Sequence, residues 1–545
     1  MRARGVAILL AILIVIALAR IVATWRVYSA TFDEPAHLAA GMEWLDHGLY
    51  QYEELHAPLA RIAAAGMPYL NGFRSAGRPG PWAEGNAILD QRGDPRRALT
   101  LARLGILPFF VATSLLVFLW ARQVANDTSG LLAVLAFTSV PPVLAHSGLA
   151  TTDAAIMATV CATVYALVRW LERPSPARTA WLGMAAGLAL LAKMSALVFL
   201  PAAGGAVLLL WRLSRNRLGP YLERGVAAAL IALVVLWGGY RFSVGPLIRW
   251  TPPPASSPAP PTPRQRLEAL ARLPIYPAPA YVRGVADILT ANREGRRNYF
   301  LGEPIQGGRW NFFPVALAVK TPIPFLLLAL VGGATLAVMS RRHPRALAPL
   351  VAAGAIFATA MAANINVGVR HILVVYPMLA VAAGLGTLRL WHWRPRRWIG
   401  PLLAVGLAAW LVLESLLAHP DYLPYFNQLA GAHPEEVLVD SDLDWGQDLY
   451  RLADTLRARG IDRVALAYHG KVDLSRQGLP AFTELPARTP TAGWVAASVF
   501  RVKLGYYGGD PDAFAWLRAH TPVSHVGRSI NLYWIEPGPT PATPR

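Results

Sequence analysis

The sequence predicts a polytopic α-helical membrane protein of about eleven transmembrane helices that carries a small exported α/β domain at its C-terminal end. Three observations lead there. Hydrophobic residues make up 54% of the 545-residue chain and charged residues 15%, too apolar for one soluble domain and gathered in runs long enough to cross a bilayer. The formal charge of +19 sits mainly in short connections between those runs. That follows the positive-inside bias and argues against nucleic-acid binding. Beyond about residue 419 the apolar runs shorten and give way to mixed periodicities.

The first run, 5–25, follows Met1-Arg2-Ala3-Arg4 and has no small-x-small cleavage site after it, which makes it a retained span. Ten more spans follow at 101–121, 129–147, 150–170, 179–193, 195–211, 225–243, 312–340, 345–363, 370–389 and 398–418. A cytoplasmic N-terminus puts the connections 122–128, 169–178, 212–224, 341–345 and 391–397 inside, and four of these five are clearly basic. The same alternation leaves 26–100, 244–311 and the whole C-terminal region outside, so the chemically distinctive residues share one face. Residues 1–418 are then the membrane domain and 419–545 the exported domain. Within 244–311, the proline-rich stretch 251–263 reads as a polyproline-type spacer. Residues 281–313 mix Arg293, Arg296, Arg297 and Arg309 with Tyr299, Phe300, Trp310 and Phe312, a composition suited to the membrane surface. In the exported domain, Leu449, Leu452 and Leu456 mark a helix face, and 464–468, 494–502 and 530–535 read as strands. The single cysteine, Cys161, lies in an apolar run and excludes an intramolecular disulfide.

The candidate chemistry starts at Thr31-Phe32-Asp33-Glu34-Pro35-Ala36-His37, two adjacent carboxylates and an imidazole a few residues beyond the first span. Thr31 and Glu34 fit a capping box, Pro35 suits a first helical turn, and Gly48 can end the helix. The same acids also suit a helix N-terminus on electrostatic grounds alone. His146 to Asp153 joins the third and fourth spans on the outer face, where Thr152 and Asp153 serve either as N-caps or as a polar pocket. Arg370 and His371 stand at the external end of a span, against the usual charge bias, and an anionic ligand accounts for them. Only four lysines occur; two of them, Lys193 and Lys320, fall in apolar runs where an ammonium is costly. Lys193 lies between two short runs, where a broken helix would bring it to the same pocket. Asp440-Ser441-Asp442-Leu443-Asp444-Trp445-Gly446 resembles the start of a calcium loop. The glycine is one place late and Arg451 stands where a bidentate glutamate belongs, so helix capping or a loop resting on the membrane domain is preferred. External carboxylates with cations that hold a departing phosphate suit sugar transfer from a lipid phosphate to a hydroxyl.

Several short motifs occur in order: Phe32-Asp33-Glu34-Pro35-Ala36-His37, His56-Ala57-Pro58-Leu59, Thr151-Thr152-Asp153, Leu191-Ala192-Lys193, Lys320-Thr321-Pro322, Gly368-Val369-Arg370-His371 and Asp444-Trp445-Gly446-Gln447-Asp448. With them the chain resembles bacterial membrane glycosyltransferases of the C superfold, similar to protein O-mannosyltransferases and lipid A aminoarabinose transferases (glycosyltransferase family 39-like). The resemblance implies a polyprenyl-phosphate sugar donor, hexosyl or pentosyl transfer with inversion to a glycan, lipid or protein acceptor, and a bacterial inner-membrane location with the active site on the exoplasmic side. It implies Asp33 and Glu34 as catalytic, and His37, His56, His146, Asp153, Lys193, Arg370 and His371 as substrate-binding, with Arg370 and Lys193 at the donor phosphate. Ala57 departs from the family, which usually has a second proline there. Divalent-metal dependence varies in this superfold, and no metal ligand is assigned. Two other classes compete. A lipid-linked saccharide transporter or flippase would use Lys193 and Lys320 as pathway residues, and a binding protein would use the exported domain to recruit partners.

Overall fold

Hydropathy alone places the helices. Among the residues described by the computed structural model, 3–214, 219–247, 276–506 and 509–537, nine helices are long and apolar enough to cross a membrane. They are Ala3–Thr24, Pro95–Val124, Asp153–Glu172, Ala196–Leu213, Leu222–Gly239, Ile323–Ser340, Pro344–Met361, Val369–His392 and Ile399–Leu417. Asp127–Phe137 and Pro141–Ser147 form a tenth if this pair, bent by 74°, is counted as one span. Pro176–Ala192, 17 residues long, packs between Asp153–Glu172 and Leu222–Gly239 and supplies the eleventh segment. The proline-rich spacer 251–263 lies outside the described residues.

Two expected spans are broken, both by proline. The run 312–340 splits into Phe312–Lys320 and Ile323–Ser340, with Thr321 extended at φ −108°, ψ 133°. The run 129–147 bends where Val140 is extended ahead of Pro141-Pro142. A residue before proline is pushed out of the helical region, and proline itself has no N–H to continue the ladder. The centre of the bundle is Val369–His392, 83% buried. It approaches Ile323–Ser340 backbone to backbone through glycines: a Cβ on Gly332 would lie 1.7 Å from Ala382 O, and one on Gly386 would lie 2.0 Å from Leu328 O.

The C-terminal part holds a five-stranded sheet in the order Ala481–Glu484, Arg463–Ala467, Gly493–Ser498, Ile530–Ile535, Ser524–Val526. The first three strands are parallel and the last two are added antiparallel. The strand expected over 494–502 ends at Ser498, whose hydroxyl accepts from Arg501 N and starts the short helix Val499–Leu504. Ahead of the sheet, residues 440–448 run along the membrane half. Ser29 N donates to Gln447 O at 2.9 Å and Phe32 N to Trp445 O at 3.0 Å. Val369 N donates to Asp442 Oδ1 at 2.9 Å.

The first loop folds as three packed helices, Glu34–His47, Leu59–Leu70 and Pro81–Asp90. Glu34 fastens it to the bundle. Its Oε2 accepts from Thr31 N at 2.8 Å, half of the expected capping box, and its Oε1 from Ala150 N at 2.8 Å. Arg103, 1% exposed, pairs with both oxygens at 2.8 Å and also donates to Tyr28 O and Ser29 O. Removing one partner of such a pair strands a buried charge and costs about 3–5 kcal/mol. Arg103→Met is therefore expected to unfold several degrees below the wild type in detergent, read by loss of helical circular dichroism on heating. An unchanged midpoint would contradict this anchoring role.

Candidate active site

The irregular backbone between helices is where the charges gather. Asp33 ends the turn after the first span, and Lys193 occupies the extended break between Pro176–Ala192 and Ala196–Leu213. Arg370 sits in the 3-10 segment Val369–Val375. That segment follows Gly368, whose φ of +133° and whose separation of only 2.5 Å between a would-be Cβ and Ser441 Oγ leave room for no side chain. Non-helical backbone at membrane depth is tolerated where it lines a cavity.

Such a cavity, of about 540 Å³, is present. Its polar end holds Asp33, His56, Lys193, Arg370, His371 and Asp440; its walls include Leu197, Val198, Ile288, Leu289 and Phe313. Charges of alternating sign run through the polar end. Asp33 Oδ2 lies 3.1 Å from Arg370 Nη1, the same nitrogen lies 4.0 Å from Asp153 Oδ2, and Asp153 Oδ1 lies 2.7 Å from Lys193 Nζ. The Arg370 guanidinium also rests 4.2 Å from the centre of the Trp445 ring, and its Nε is buried with no hydrogen-bond partner among the described residues. Asp33 Oδ2 is engaged by Arg370, while no hydrogen bond to Oδ1 is found among those residues.

His56 reaches the cavity from the first loop, held by Glu53, whose Oε1 is 2.9 Å from His56 Nδ1. Burial lowers the imidazole to about 4, so it is neutral at physiological pH. With Nδ1 donating to Glu53, its Nε2 is an acceptor. Glu53 is fixed in turn by the fully buried Arg61, which also donates to Tyr50 Oη at 2.9 Å and to His37 Nδ1 at 3.0 Å.

Five of the nine expected site residues therefore line the cavity: Asp33, His56, Lys193, Arg370 and His371. The others stand behind it. Asp153 is fully buried and acts on the cavity through Lys193 and Arg370. His146 lies against Asp153, with Nδ1 3.7 Å from Oδ2, and its ring faces Trp445. His37 is held by Arg61, and burial together with that guanidinium keeps its imidazole well below the usual range. Glu34 departs furthest from expectation: both its oxygens are consumed by Arg103 and backbone N–H groups, and it is 1% exposed. It positions the loop and touches no cavity. Lys320 is likewise a brace, donating to Leu423 O and Asp442 O from beneath the Phe426 ring.

Sequence reasoning missed several participants. Arg61 and Arg103 gave no signal, because arginine is the ordinary cation of this chain and single ones carry little information. Trp445 and Asp440 were visible as a motif and as an acidic run, without an assignment to the cavity they line. His469, also lining it, is stacked on Phe500 at 3.6 Å and beside Phe32 at 5.2 Å; nothing in its sequence context marks it. Among the described residues no three His, Cys, Asp or Glu side chains gather as a metal ion would need.

A family model described as dolichyl-phosphate-mannose-protein mannosyltransferase matches residues 99–237. No curated protein matches the chain by sequence. Among solved structures, the S. cerevisiae protein O-mannosyltransferase Pmt1-Pmt2 complex bound to the sugar donor is similar at 12% identity and a TM-score of 0.55, over 77% of this chain and 90% of that one. ArnT from Cupriavidus metallidurans in the apo state is similar at 13% identity and a TM-score of 0.50, over 98% of both chains. The same protein bound to undecaprenyl phosphate gives 14% identity and a TM-score of 0.48, over 97% of this chain and 98% of that one. The protein thus has the fold of the C-superfold membrane glycosyltransferases, similar to the protein O-mannosyltransferases and aminoarabinose transferases to which its motifs pointed.

Proposed function

We propose that the protein transfers a sugar from a polyprenyl-phosphate donor to an acceptor hydroxyl on the exoplasmic face of the bacterial inner membrane, with inversion at the anomeric carbon. Residues 1–418 form the membrane domain, which supplies Asp33, Lys193 and Arg370, and 419–545 form the exported domain, which closes the cavity with Asp440, Trp445 and His469. The observation that carries this reading is the Asp33–Arg370 ion pair at the polar end of a cavity whose walls are apolar. Arg370 and Lys193 receive the donor phosphate, and Leu197, Val198, Ile288, Leu289 and Phe313 receive the polyprenyl chain. Guanidinium-to-phosphate hydrogen bonds are charge-assisted and gain strength in a water-poor site. Asp33 accepts a hydrogen bond from the acceptor hydroxyl through Oδ1, turning its oxygen toward the anomeric carbon. The oxygen attacks opposite the phosphate, which leaves with its electron pair and stays bound to the cations. A phosphate ester is a good leaving group, so no strong general acid is required.

The transporter reading loses its motivation. Lys193 is paired with Asp153, and Lys320 is bonded to two backbone carbonyls, so neither is an isolated pathway charge.

Asp33→Asn is expected to lower transfer by roughly 100-fold or more, the usual range for a positioned carboxylate, while the protein stays folded in detergent. Mass spectrometry of glycolipids and glycoproteins from cells that carry only this variant should show donor accumulating and product missing. Normal product would remove Asp33 from the mechanism. Arg370→Ala should weaken binding of undecaprenyl phosphate to the purified protein by about 10-fold or more, as loss of charge-assisted contacts requires. Equal affinity in the two proteins would place the phosphate elsewhere.

A further inference from the structure

Transfer to a hydroxyl releases a proton, and Asp33, with one oxygen already in an ion pair, is poorly suited to keep it. Asp440 reaches the same cavity from the exported half of the molecule. It is 5% exposed and holds a φ of +43°, a left-handed conformation that a non-glycine residue keeps only where its surroundings impose it. Those surroundings are the 3-10 turn Asp440–Asp442, closed by Asp444 N on Asp440 O at 2.8 Å, and the bond from Val369 N to Asp442.

The neighbouring acids are committed to structure. Asp442 accepts from Val369 N, Asp444 from Phe500 N at 2.8 Å, and Asp448 from Ser529 Oγ at 2.7 Å with Arg451 beside it. Asp442 Oδ2 also lacks a hydrogen bond among the described residues, but it is buried; of the four acids, Asp440 is the one that lines the cavity. Its Oδ1 accepts from the adjacent Ser441 N at 2.6 Å, while Oδ2 has no hydrogen bond and no cation in ion-pair contact among the described residues. Burial raises the carboxyl to about 7; Arg370 opposes the rise, and Asp33 and Asp442 add to it. A carboxyl that titrates near the working pH is an efficient proton acceptor.

We propose that Asp440 is the proton acceptor of the transfer step, a second cavity carboxyl that works beside Asp33 across Arg370. This rests on the glycosyl-transfer reading. As the acceptor oxygen bonds to the anomeric carbon, the bond from that carbon to the phosphate oxygen breaks and the electron pair leaves on the phosphate. The hydroxyl proton passes first to Asp33 Oδ1, is handed on to Asp440, and goes to water when the product departs. The assignment makes the exported half part of the reaction centre.

The test uses the full-length protein in membranes of the producing cells, which carry their own donor and acceptor. Wild-type transfer should fall as pH drops through about 7, because a protonated Asp440 cannot take a second proton. Asp440→Asn should slow transfer by about 100-fold and flatten that acid limb, Asp440→Glu should recover part of the rate with the limb restored, and both should bind undecaprenyl phosphate as the wild type does. A wild-type rate in Asp440→Asn overturns the proposal. So does a slow variant that keeps the acid limb and melts at lower temperature, since it would report a brace only. If Asp33→Asn and Arg370→Ala are impaired while Asp440→Asn is not, the proton-acceptor role alone falls. If wild-type membranes form no glycosylated product, the underlying reading falls with it.

Discussion

The array Asp33–Arg370–Asp153–Lys193 is the constraint from which the rest of the architecture follows. Four charges at the edge of an apolar bundle are tolerable only as an alternating set, because each desolvated ion needs a partner at contact distance. Their separations of 3.1, 4.0 and 2.7 Å supply that. Each charge comes from a place where a helix stops: the turn after the first span, the start of Asp153–Glu172, the break before Ala196–Leu213, and the 3-10 entry to the central span. Regular helices would present these groups to lipid or to one another's backbones. The breaks aim them at a shared cavity and leave the set formally neutral, so the phosphate of the proposed donor would meet cations already desolvated and oriented.

Keeping the breaks in register takes more than the membrane half supplies. Residues 440–448 bond to Ser29 and Phe32 on one side and to Val369 on the other, and Trp445 lays its ring against the Arg370 guanidinium. The Asp33 and Arg370 backbones are thus measured against one common segment. Glu34 and Arg103 do the corresponding work behind the site, tying the first loop to the second span and to the turn at Ala150. The acidic run at 440–448 is a clamp, which explains why its spacing resembles a calcium loop without completing one.

What was legible in the sequence follows from which signals are local. Hydropathy gave the nine long apolar helices and the bent pair, and the positive-inside bias made Arg370 conspicuous because the expected topology puts it on the side where basic residues are scarce. Lys193 was conspicuous for a similar reason, being one of only four lysines. The bends at Val140 and Thr321 were readable in principle from the prolines that follow, yet length and apolarity outweighed them. The burial of Glu34 against Arg103 was not legible because adjacency to Asp33 says nothing about direction: consecutive residues at a helix start point about 100° apart in a 3.6-residue turn, so one carboxylate faces the cavity and its neighbour faces Arg103. Arg61, Arg103 and His469 depend on partners far away in the chain, and no local pattern announces them.

The ion pair also sets an order of events. Arg370 is shared between Asp33 and Asp153, and its Nε has no partner among the described residues. Under the proposed transfer, a donor phosphate would compete with Asp33 for the same guanidinium, and charge that Arg370 gave to phosphate would be withdrawn from the carboxylate. Asp33 would then become a better hydrogen-bond acceptor as the donor arrived. The acceptor hydroxyl would be held most strongly in the complex where transfer can occur, and the cation that binds the leaving group would also govern the group that aims the nucleophile. A lone carboxylate in an apolar cavity would lack this control and would have to be protonated to remain there.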